Sequence, residues 1–409
     1  MKRLVVVLCV WALGLAGVLT SVVLPVGAAA AMAVTTPGGF ASLAPFRLLD
    51  TRSGVGAAKV AVAAGGTVHL QVTGRGGVPA SGVSAVVLNV TVTAPTSAGF
   101  VTVYGDGSVL PTASNLNFVK GQTVPNLVIA PVGTNGKVDL YNGSGGTVQL
   151  IGDVSGYYLA GAPTVAGAFG SLAPARLLDT RTGVGAPKVA VAASGTVHLQ
   201  VTGRGGVPAS GVSAVVLNVT VTAPTAPGFV TVYGDGSVLP TASSLNFVAG
   251  QTIPNMVLVK LGPGGTVTFY NAAGTVNVIA DLVGYYQPGT GAGFTGTAPA
   301  RVLDTRSGLG APKAKLGAGR TLTLTVPGLP AGATAVALNV TVTGPTAASY
   351  LSVYPGGTTR PTASSLNFVA AQTIPNMVLV KLGPGGTVTF YNAAGTVNVI
   401  ADLVGYYAP

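Results

Sequence analysis

The chain repeats one domain-length pattern three times. Each copy opens on a Leu-Asp-Thr-Arg motif, carries Leu-Asn-Val-Thr-Val-Thr near its centre and closes on Gly-Tyr-Tyr. The motif aspartates Asp50, Asp179 and Asp304 lie 129 and then 125 residues apart. Blades and solenoid turns repeat every 20–50 residues or so, and a period above 100 is therefore a whole domain. A chain of 409 residues is long enough for three such domains, which we place at 39–158, 169–286 and 294–407.

The composition predicts an all-β fold. Charged residues make up 7% of the chain, glutamate is absent, and the 61 glycines and 28 prolines supply turns. Alternating aliphatic segments rich in valine and threonine, such as 196–201 and 217–222, recur every 8–15 residues. This spacing is typical of antiparallel β-sandwich domains, here jelly-roll-like, and an open barrel would give the same pattern. With short linkers, three such domains in tandem would form a short rod or bent string.

The copies are unequally related. Residues 60–96 match 189–225 at all but one position, and 241–286 match 362–407 at all but one. The middle repeat therefore resembles the first in its front half and the third in its back half. Recent exchange between copies explains this relation, and only the comparison of the first with the third repeat indicates constraint.

The first 33 residues read as a secretion signal. Lys2 and Arg3 precede an apolar stretch at 4–24, and Ala-Met-Ala at 31–33 is a plausible cleavage site. The stretch is also long enough to remain as an uncut membrane anchor, and both outcomes stay open. Otherwise no membrane span is expected in the mature chain, and we expect a secreted, extracellular or wall-associated protein.

Cysteine usage and charge exclude several classes of function. The single cysteine, Cys9, lies in the signal, so the mature chain would have no disulfide, thiol nucleophile or cysteine-bound metal. The net charge is +11, but Lys and Arg form no run and no nucleic-acid motif occurs. We therefore expect no nucleic-acid partner.

Residues that do not occur in both the first and the third repeat cannot form a site general to the repeat. On this criterion no catalytic histidine or metal site is predicted, and we expect no enzyme and no cofactor. The excluded positions are His69 and His198 (Thr323 in the third repeat), Asp106 and Asp235 (Gly356), and Asp139 (Thr389).

Two aspartates per repeat pass this comparison, one in Leu-Asp-Thr-Arg and one before Gly-Tyr-Tyr (Asp153, Asp281, Asp402). Paired carboxylates about 5–9 Å apart can hydrolyse glycosides, and carboxylates can also contribute to a calcium site. The structural alternative is that Asp50 pairs with Arg52 on the same side of a strand and accepts hydrogen bonds in the following turn.

Candidate binding residues combine these charges with one tyrosine of each Gly-Tyr-Tyr. Tyrosine faces and Asn or Gln side chains can contact sugars, whereas in the alternative interpretation the tyrosines pack in the core and at strand edges and Asn or Gln satisfy buried backbone groups. Tyr104 and Tyr141 could add further flat faces. The candidates are Asp50, Arg52, Tyr157, Asp179, Arg181, Tyr285, Asp304, Arg306 and Tyr406, beside the retained amides Asn89, Asn126, Asn339 and Asn376.

The combined motifs, Arg-Leu-Leu-Asp-Thr-Arg, Leu-Asn-Val-Thr-Val-Thr and Asp-x-x-Gly-Tyr-Tyr, resemble a β-rich module of exported actinobacterial-type proteins. That resemblance implies export and modularity, and no activity. We interpret the chain as a secreted or cell-surface tandem-repeat protein with a structural, spacer or adhesion role and no catalysis. Its partner would be cell-wall polysaccharide or another surface protein. The alternatives are carbohydrate- or wall-polymer-binding modules and, remotely, an Asp-based glycoside hydrolase.

Overall fold

A computed structural model describes residues 38–133, 135–160, 169–288 and 291–409. The predicted signal at 1–33 lies outside these residues. The described part is nearly all β, as predicted: its 24 strands pair antiparallel, and one short 3-10 turn occurs at Pro263–Gly265. Among the described residues, no helix has the length and apolar character needed to cross a bilayer.

Each repeat supplies eight strands. In the first they are β1 Phe40–Asp50, β2 Thr67–Gln71, β3 Val83–Thr93, β4 Gly99–Gly105, β5 Leu116–Phe118, β6 Val124–Pro131, β7 Lys137–Asn142 and β8 Gln149–Leu159. In the second they are β9 Phe169–Asp179, β10 Thr196–Gln200, β11 Ala214–Thr222, β12 Gly228–Gly234, β13 Leu245–Phe247, β14 Ile253–Lys260, β15 Thr266–Asn271 and β16 Asn277–Tyr286. In the third they are β17 Gly293–Asp304, β18 Arg320–Thr325, β19 Ala335–Thr343, β20 Ser349–Pro355, β21 Leu366–Phe368, β22 Ile374–Lys381, β23 Thr387–Asn392 and β24 Asn398–Ala408.

Two four-stranded sheets form in every repeat. The central sheet has the order β1-β8-β3-β6 in the first repeat, β9-β16-β11-β14 in the second and β17-β24-β19-β22 in the third. The outer sheet has the order β2-β7-β4-β5, then β10-β15-β12-β13 and β18-β23-β20-β21. All these ladders join strands of the same repeat.

The prediction of three tandem β-sandwich domains is wrong. The described residues belong to one compact unit, and their six small sheets form a six-blade β-propeller, two sheets from each repeat. The physical reason lies in the central sheets, which are buried on both faces. In β3 every residue from Ala85 to Val92 is buried, whereas a strand of a separate sandwich would turn one face to solvent.

The alternation of side chains shows where the two faces go. Leu88, Val90 and Val92 pack into the apolar cluster of the first repeat, whereas Ala85 and Val87 point the opposite way. That second face joins a cluster to which the central sheets of all three repeats contribute. Burial of this second face draws the three repeats around a common centre, whereas in a rod of separate domains the same face would be exposed to solvent.

Candidate functional site

The Leu-Asp-Thr-Arg aspartate is held by arginines. Asp50 ends β1, and its carboxylate accepts bonds from Arg52 Nε at 2.9 Å, Arg52 Nη2 at 2.7 Å and the Arg52 backbone N–H at 3.0 Å. Its backbone carbonyl accepts from three successive N–H groups of the turn that follows. Gly56 must close this turn with φ +72, because a Cβ there would lie 2.0 Å from the Leu48 carbonyl oxygen. The predicted Asp–Arg pair is confirmed.

The second aspartate of each repeat is bound by a different arginine. Strand register places Arg47 opposite Asp153, and the guanidinium donates to both carboxylate oxygens at 2.8 and 3.1 Å. Arg47 also reaches Asp50 Oδ2 at 3.3 Å and so joins the two acids. The same cluster recurs as Arg176, Asp179, Arg181 and Asp281, and as Arg301, Asp304, Arg306 and Asp402.

The two acids of a cluster have opposite pKa shifts. Hydrogen bonds from Arg181 hold the pKa of Asp179 below its usual range. Burial raises the pKa of Asp281, against the opposing bond from Arg176. Both carboxylates are bound to arginine, and the cavity beside the equivalent Asp153 is about 30 Å³, room for a few water molecules but not for a sugar ring. The facing, free carboxylates that motivated the hydrolase alternative do not occur in these clusters.

The tyrosines of Gly-Tyr-Tyr separate into two roles. The first tyrosine of each pair is half-buried. Tyr157 packs against the apolar cluster of the first repeat, and Tyr285 and Tyr406 pack against an apolar cluster formed by the second and third repeats together. The second of each pair is fully buried, and the three hydroxyl groups form a triangle: Tyr158 to Tyr286 at 2.7 Å, Tyr158 to Tyr407 at 2.7 Å, and Tyr286 to Tyr407 at 2.8 Å. Each hydroxyl can donate once and accept once, so the triangle satisfies itself.

Three phenylalanines complete the aromatic centre. Phe40 lies between Tyr158 and Tyr286, with ring centroids 5.2 and 4.4 Å away, and Phe169 and Phe294 fill the two equivalent places. These rings explain the glycine of Gly-Tyr-Tyr. A Cβ on Gly156 would lie 2.3 Å from the Phe40 ring. The motif is therefore a device for joining repeats.

Buried asparagines form the seams between repeats. At the first seam, Asn89 on β3 donates to the Ser243 carbonyl oxygen at 2.7 Å, and Asn255 on β14 donates to Asn89 Oδ1 at 2.8 Å. The Leu127 backbone N–H donates to Asn255 Oδ1 at 3.0 Å. The second seam repeats this with Asn218, Ser364 and Asn376, and the third closes the ring with Asn339, Ser114 and Asn126.

The outer sheets carry aromatic pairs on the face away from the core. In the first repeat Phe100 on β4 and Tyr141 on β7 have ring centroids 6.4 Å apart. The second and third repeats keep the pair as Phe229 with Tyr270 at 6.5 Å and Tyr350 with Tyr391 at 6.3 Å. These rings are half-buried, and Arg360 stacks over Tyr391 at 4.0 Å from its centroid.

One group of ionisable residues occurs on the outer sheet of the first repeat. His69 Nδ1 lies 2.7 Å from Asp139 Oδ1, its partner across the β2–β7 ladder, and 2.9 Å from Asp106 Oδ1 in the turn after β4. The third repeat lacks all three residues, so a comparison of the first and third repeats predicts no site here. A site present in one repeat leaves no signal in such a comparison.

No family model matches this chain, and no curated protein matches it. Similar solved structures include a chain of Sulfolobus Turreted Icosahedral Virus, with 12% identity, coverage of 84% of this chain and 83% of that chain, and a TM-score of 0.17. A chain from the triple jelly roll fold and turret assembly of an archaeal virus is 12% identical, with coverage of 90% of this chain and 97% of that chain and a TM-score of 0.17. The N-terminal CBM22-1-CBM22-2 tandem domain from Paenibacillus barcinonensis Xyn10C is 11% identical, with coverage of 60% of this chain and 100% of that chain and a TM-score of 0.19. At these TM-scores the similarities carry no argument about function.

Proposed function

We propose that this chain is a structural or adhesion protein of the cell exterior and is not an enzyme. One observation carries the proposal: the aspartates of the Asp–Arg clusters, the seam asparagines and the closing tyrosines, shared by all three repeats, are buried and bonded to other groups of the protein. The Asp–Arg clusters fix turns, the asparagines join repeats, and the closing tyrosines meet at the centre. A repeated catalytic set would instead place free polar groups around a shared cleft.

The arrangement of the repeats favours adhesion over a spacer role. A closed body of three repeats spans less distance than a rod of the same three domains. It also fixes three similar outer sheets in one rigid unit, each held by seams of buried hydrogen bonds. Several weak contacts made at once raise avidity without any new interface.

Fractionation of the producing cells tests the proposed location. We expect the protein in the medium or the wall fraction, with its amino terminus after the proposed cleavage site at Ala33, or at the cell surface with the signal retained. A full-length chain confined to the cytoplasm would contradict export. Turnover of wall polysaccharide that is lost in Asp281→Asn, with the fold intact by circular dichroism, would contradict a non-catalytic role.

The aromatic pairs of the outer sheets support a second candidate, binding of wall polysaccharide. Aromatic rings with neighbouring amides are the side chains that contact sugar rings and hydroxyls, and this face recurs three times. Here the candidate platform uses Tyr141, Tyr270 and Tyr391 rather than the tyrosines of Gly-Tyr-Tyr.

Co-sedimentation with purified wall polysaccharide distinguishes the two roles. If the platforms bind, Tyr141→Ala alone weakens binding modestly, and the triple variant with Tyr270→Ala and Tyr391→Ala loses the avidity gain of about 10²–10⁴. Val109→Ser is a matched surface control because Val109 is 92% exposed and lies in the loop between β4 and β5 of the same sheet. Equal binding by the triple variant and the control would exclude the platforms.

A further inference from the structure

We propose that the first repeat binds one divalent metal ion of the zinc class between His69, Asp106 and Asp139. The three residues offer one imidazole nitrogen and two carboxylate oxygens, all within 4.8 Å of one another. Histidine with carboxylates is a ligand set that zinc accepts, and three protein ligands leave a fourth position for water. The inference is independent of the proposed surface role.

The geometry needs only a small adjustment to hold an ion. Ligand atoms about 2.1 Å from a tetrahedral zinc lie roughly 3.4 Å apart. The present separations from His69 Nδ1 are 2.7 and 2.9 Å, so the carboxylate oxygens must move outward by roughly 0.5–0.7 Å. Asp106 sits in a turn, and its other oxygen is bonded by Asn135, which leaves the first oxygen directed at the imidazole.

Asp139 differs from the other buried aspartates of the described residues in its partner. Seven aspartates of the described residues are buried, and six of them form ion pairs with arginine. Asp139 is 4% exposed, yet no lysine or arginine of the described residues pairs with it. Its cationic partner is the imidazole of His69, which Asp106 shares and which carries at most one positive charge. Burying a carboxylate with incomplete charge balance is costly, and a bound divalent ion would balance both carboxylates.

Access to the group is open on one side. The His69 side chain is 58% exposed, whereas the carboxylates of Asp106 and Asp139 lie beneath it. An ion could therefore enter from solvent past the imidazole. Calcium fits poorly, because it requires six to eight oxygen ligands.

The other repeats provide natural comparisons at the same positions. In the second repeat Thr268 replaces Asp139, and its hydroxyl donates to Asp235 at 2.7 Å while His198 Nδ1 lies 2.8 Å from the same oxygen. In the third repeat Thr323 and Thr389 bond each other at 2.9 Å. The same sheet thus folds with three, two or none of the ligands, and the expected stoichiometry is one ion per chain.

Calorimetric titration of the metal-free full chain with Zn²⁺ tests the proposal. We expect one equivalent for the wild type and a loss of more than about tenfold in affinity for Asp139→Thr and His69→Thr. Both changes copy residues found in other repeats, so the sheet should fold, as an unchanged circular dichroism spectrum would show. His198→Thr is the matched control and should keep the one equivalent. Thr268→Asp should raise the stoichiometry to two.

The competing arrangement is a protonated imidazole shared by two carboxylates without a metal. It predicts no stoichiometric Zn²⁺ binding by the wild type, which would overturn the proposal. One equivalent that survives His69→Thr would also overturn it. A folded Thr268→Asp variant that still binds one equivalent would reject these three positions as the ligand set.

Discussion

The tyrosine triangle at the centre predicts that stability does not fall steadily as hydroxyl groups are removed. Tyr158, Tyr286 and Tyr407 share three hydrogen bonds of 2.7–2.8 Å and are fully buried. Changing one of them to Phe removes two bonds and leaves two hydroxyls that still bond each other. With about 1 kcal/mol per bond, we expect a loss of roughly 1–3 kcal/mol in the free energy of unfolding.

The double and triple variants separate the lost bonds from the cost of an unpaired group. Two Phe substitutions break all three bonds and leave one hydroxyl buried without a partner, which adds about 1–3 kcal/mol, for a total of roughly 3–6 kcal/mol. Three Phe substitutions break the same bonds but leave no orphan. Replacing all partners by apolar groups of the same shape is nearly neutral, so the triple variant should lose only about 0–2 kcal/mol.

Equilibrium unfolding in guanidinium chloride, followed by far-ultraviolet circular dichroism, measures this order. The slope with denaturant should stay constant while the midpoint moves. Tyr157→Phe is the control, because the Tyr157 hydroxyl lies outside the triangle, and it should change stability by less than about 0.5 kcal/mol. A steady decline in which the triple variant is the least stable would refute the reasoning that an orphaned hydroxyl dominates.

Three further predictions concern the seams and the Asp–Arg clusters. Asn255→Ala leaves the Leu127 N–H without its partner across the seam and removes two donated bonds, so unfolding in denaturant should show a loss of about 3 kcal/mol. Arg176→Met leaves the buried Asp281 carboxylate without its arginine, so the free energy of unfolding should fall by about 3–5 kcal/mol at pH 7. The loss should be smaller near pH 4, where the carboxyl can protonate, and an equal loss at both pH values would contradict this. The hydrogen bond from Arg181 lowers the pKa of Asp179, so ionised Asp179 stabilises the fold at pH values above the ordinary aspartate pKa near 3.9. Thermal melts should show this stabilisation being lost as the pH falls below that value.

Local features of the fold could be predicted because their partners are close in sequence. Asp50 and Arg52 are two residues apart on one strand side, and their pairing follows from strand geometry. The bond from Arg47 to Asp153 could not be predicted, since it depends on the register between β1 and β8, which joins residues 106 apart. The strands, turns and Asp–Arg pair are thus local, whereas the full cluster is not.

The closure of the ring could not be predicted, because nothing local encodes the angle between repeats. Alternation along Gly-Tyr-Tyr predicts that one tyrosine faces inward, but the triangle joins residues 121 to 249 apart. One residue of the central strand β3 did indicate a contact outside its own repeat. Asn89 interrupts an otherwise aliphatic and threonine-rich run, and an amide retained in such a run indicates a partner on the face opposite the domain core.

The seams also explain what the unequal relation of the repeats means for the structure. Each seam joins the front half of one repeat, through Asn89 or its equivalent, to the back half of the next, through Asn255 or its equivalent. The second repeat has the front half of the first and the back half of the third. The first and second seams are therefore nearly the same interface, copied intact.

The third seam lacks this shared ancestry, since it joins the diverged front of the third repeat to the diverged back of the first. It nevertheless keeps the same bonds: Asn339 donates to the Ser114 carbonyl oxygen at 2.6 Å, and Asn126 donates to Asn339 Oδ1 at 2.9 Å. Recent exchange cannot account for that agreement, but the need to close a ring can. Asparagine retained between the first and third repeats therefore reflects direct contact between those two repeats, and the closing seam is where identity measures constraint.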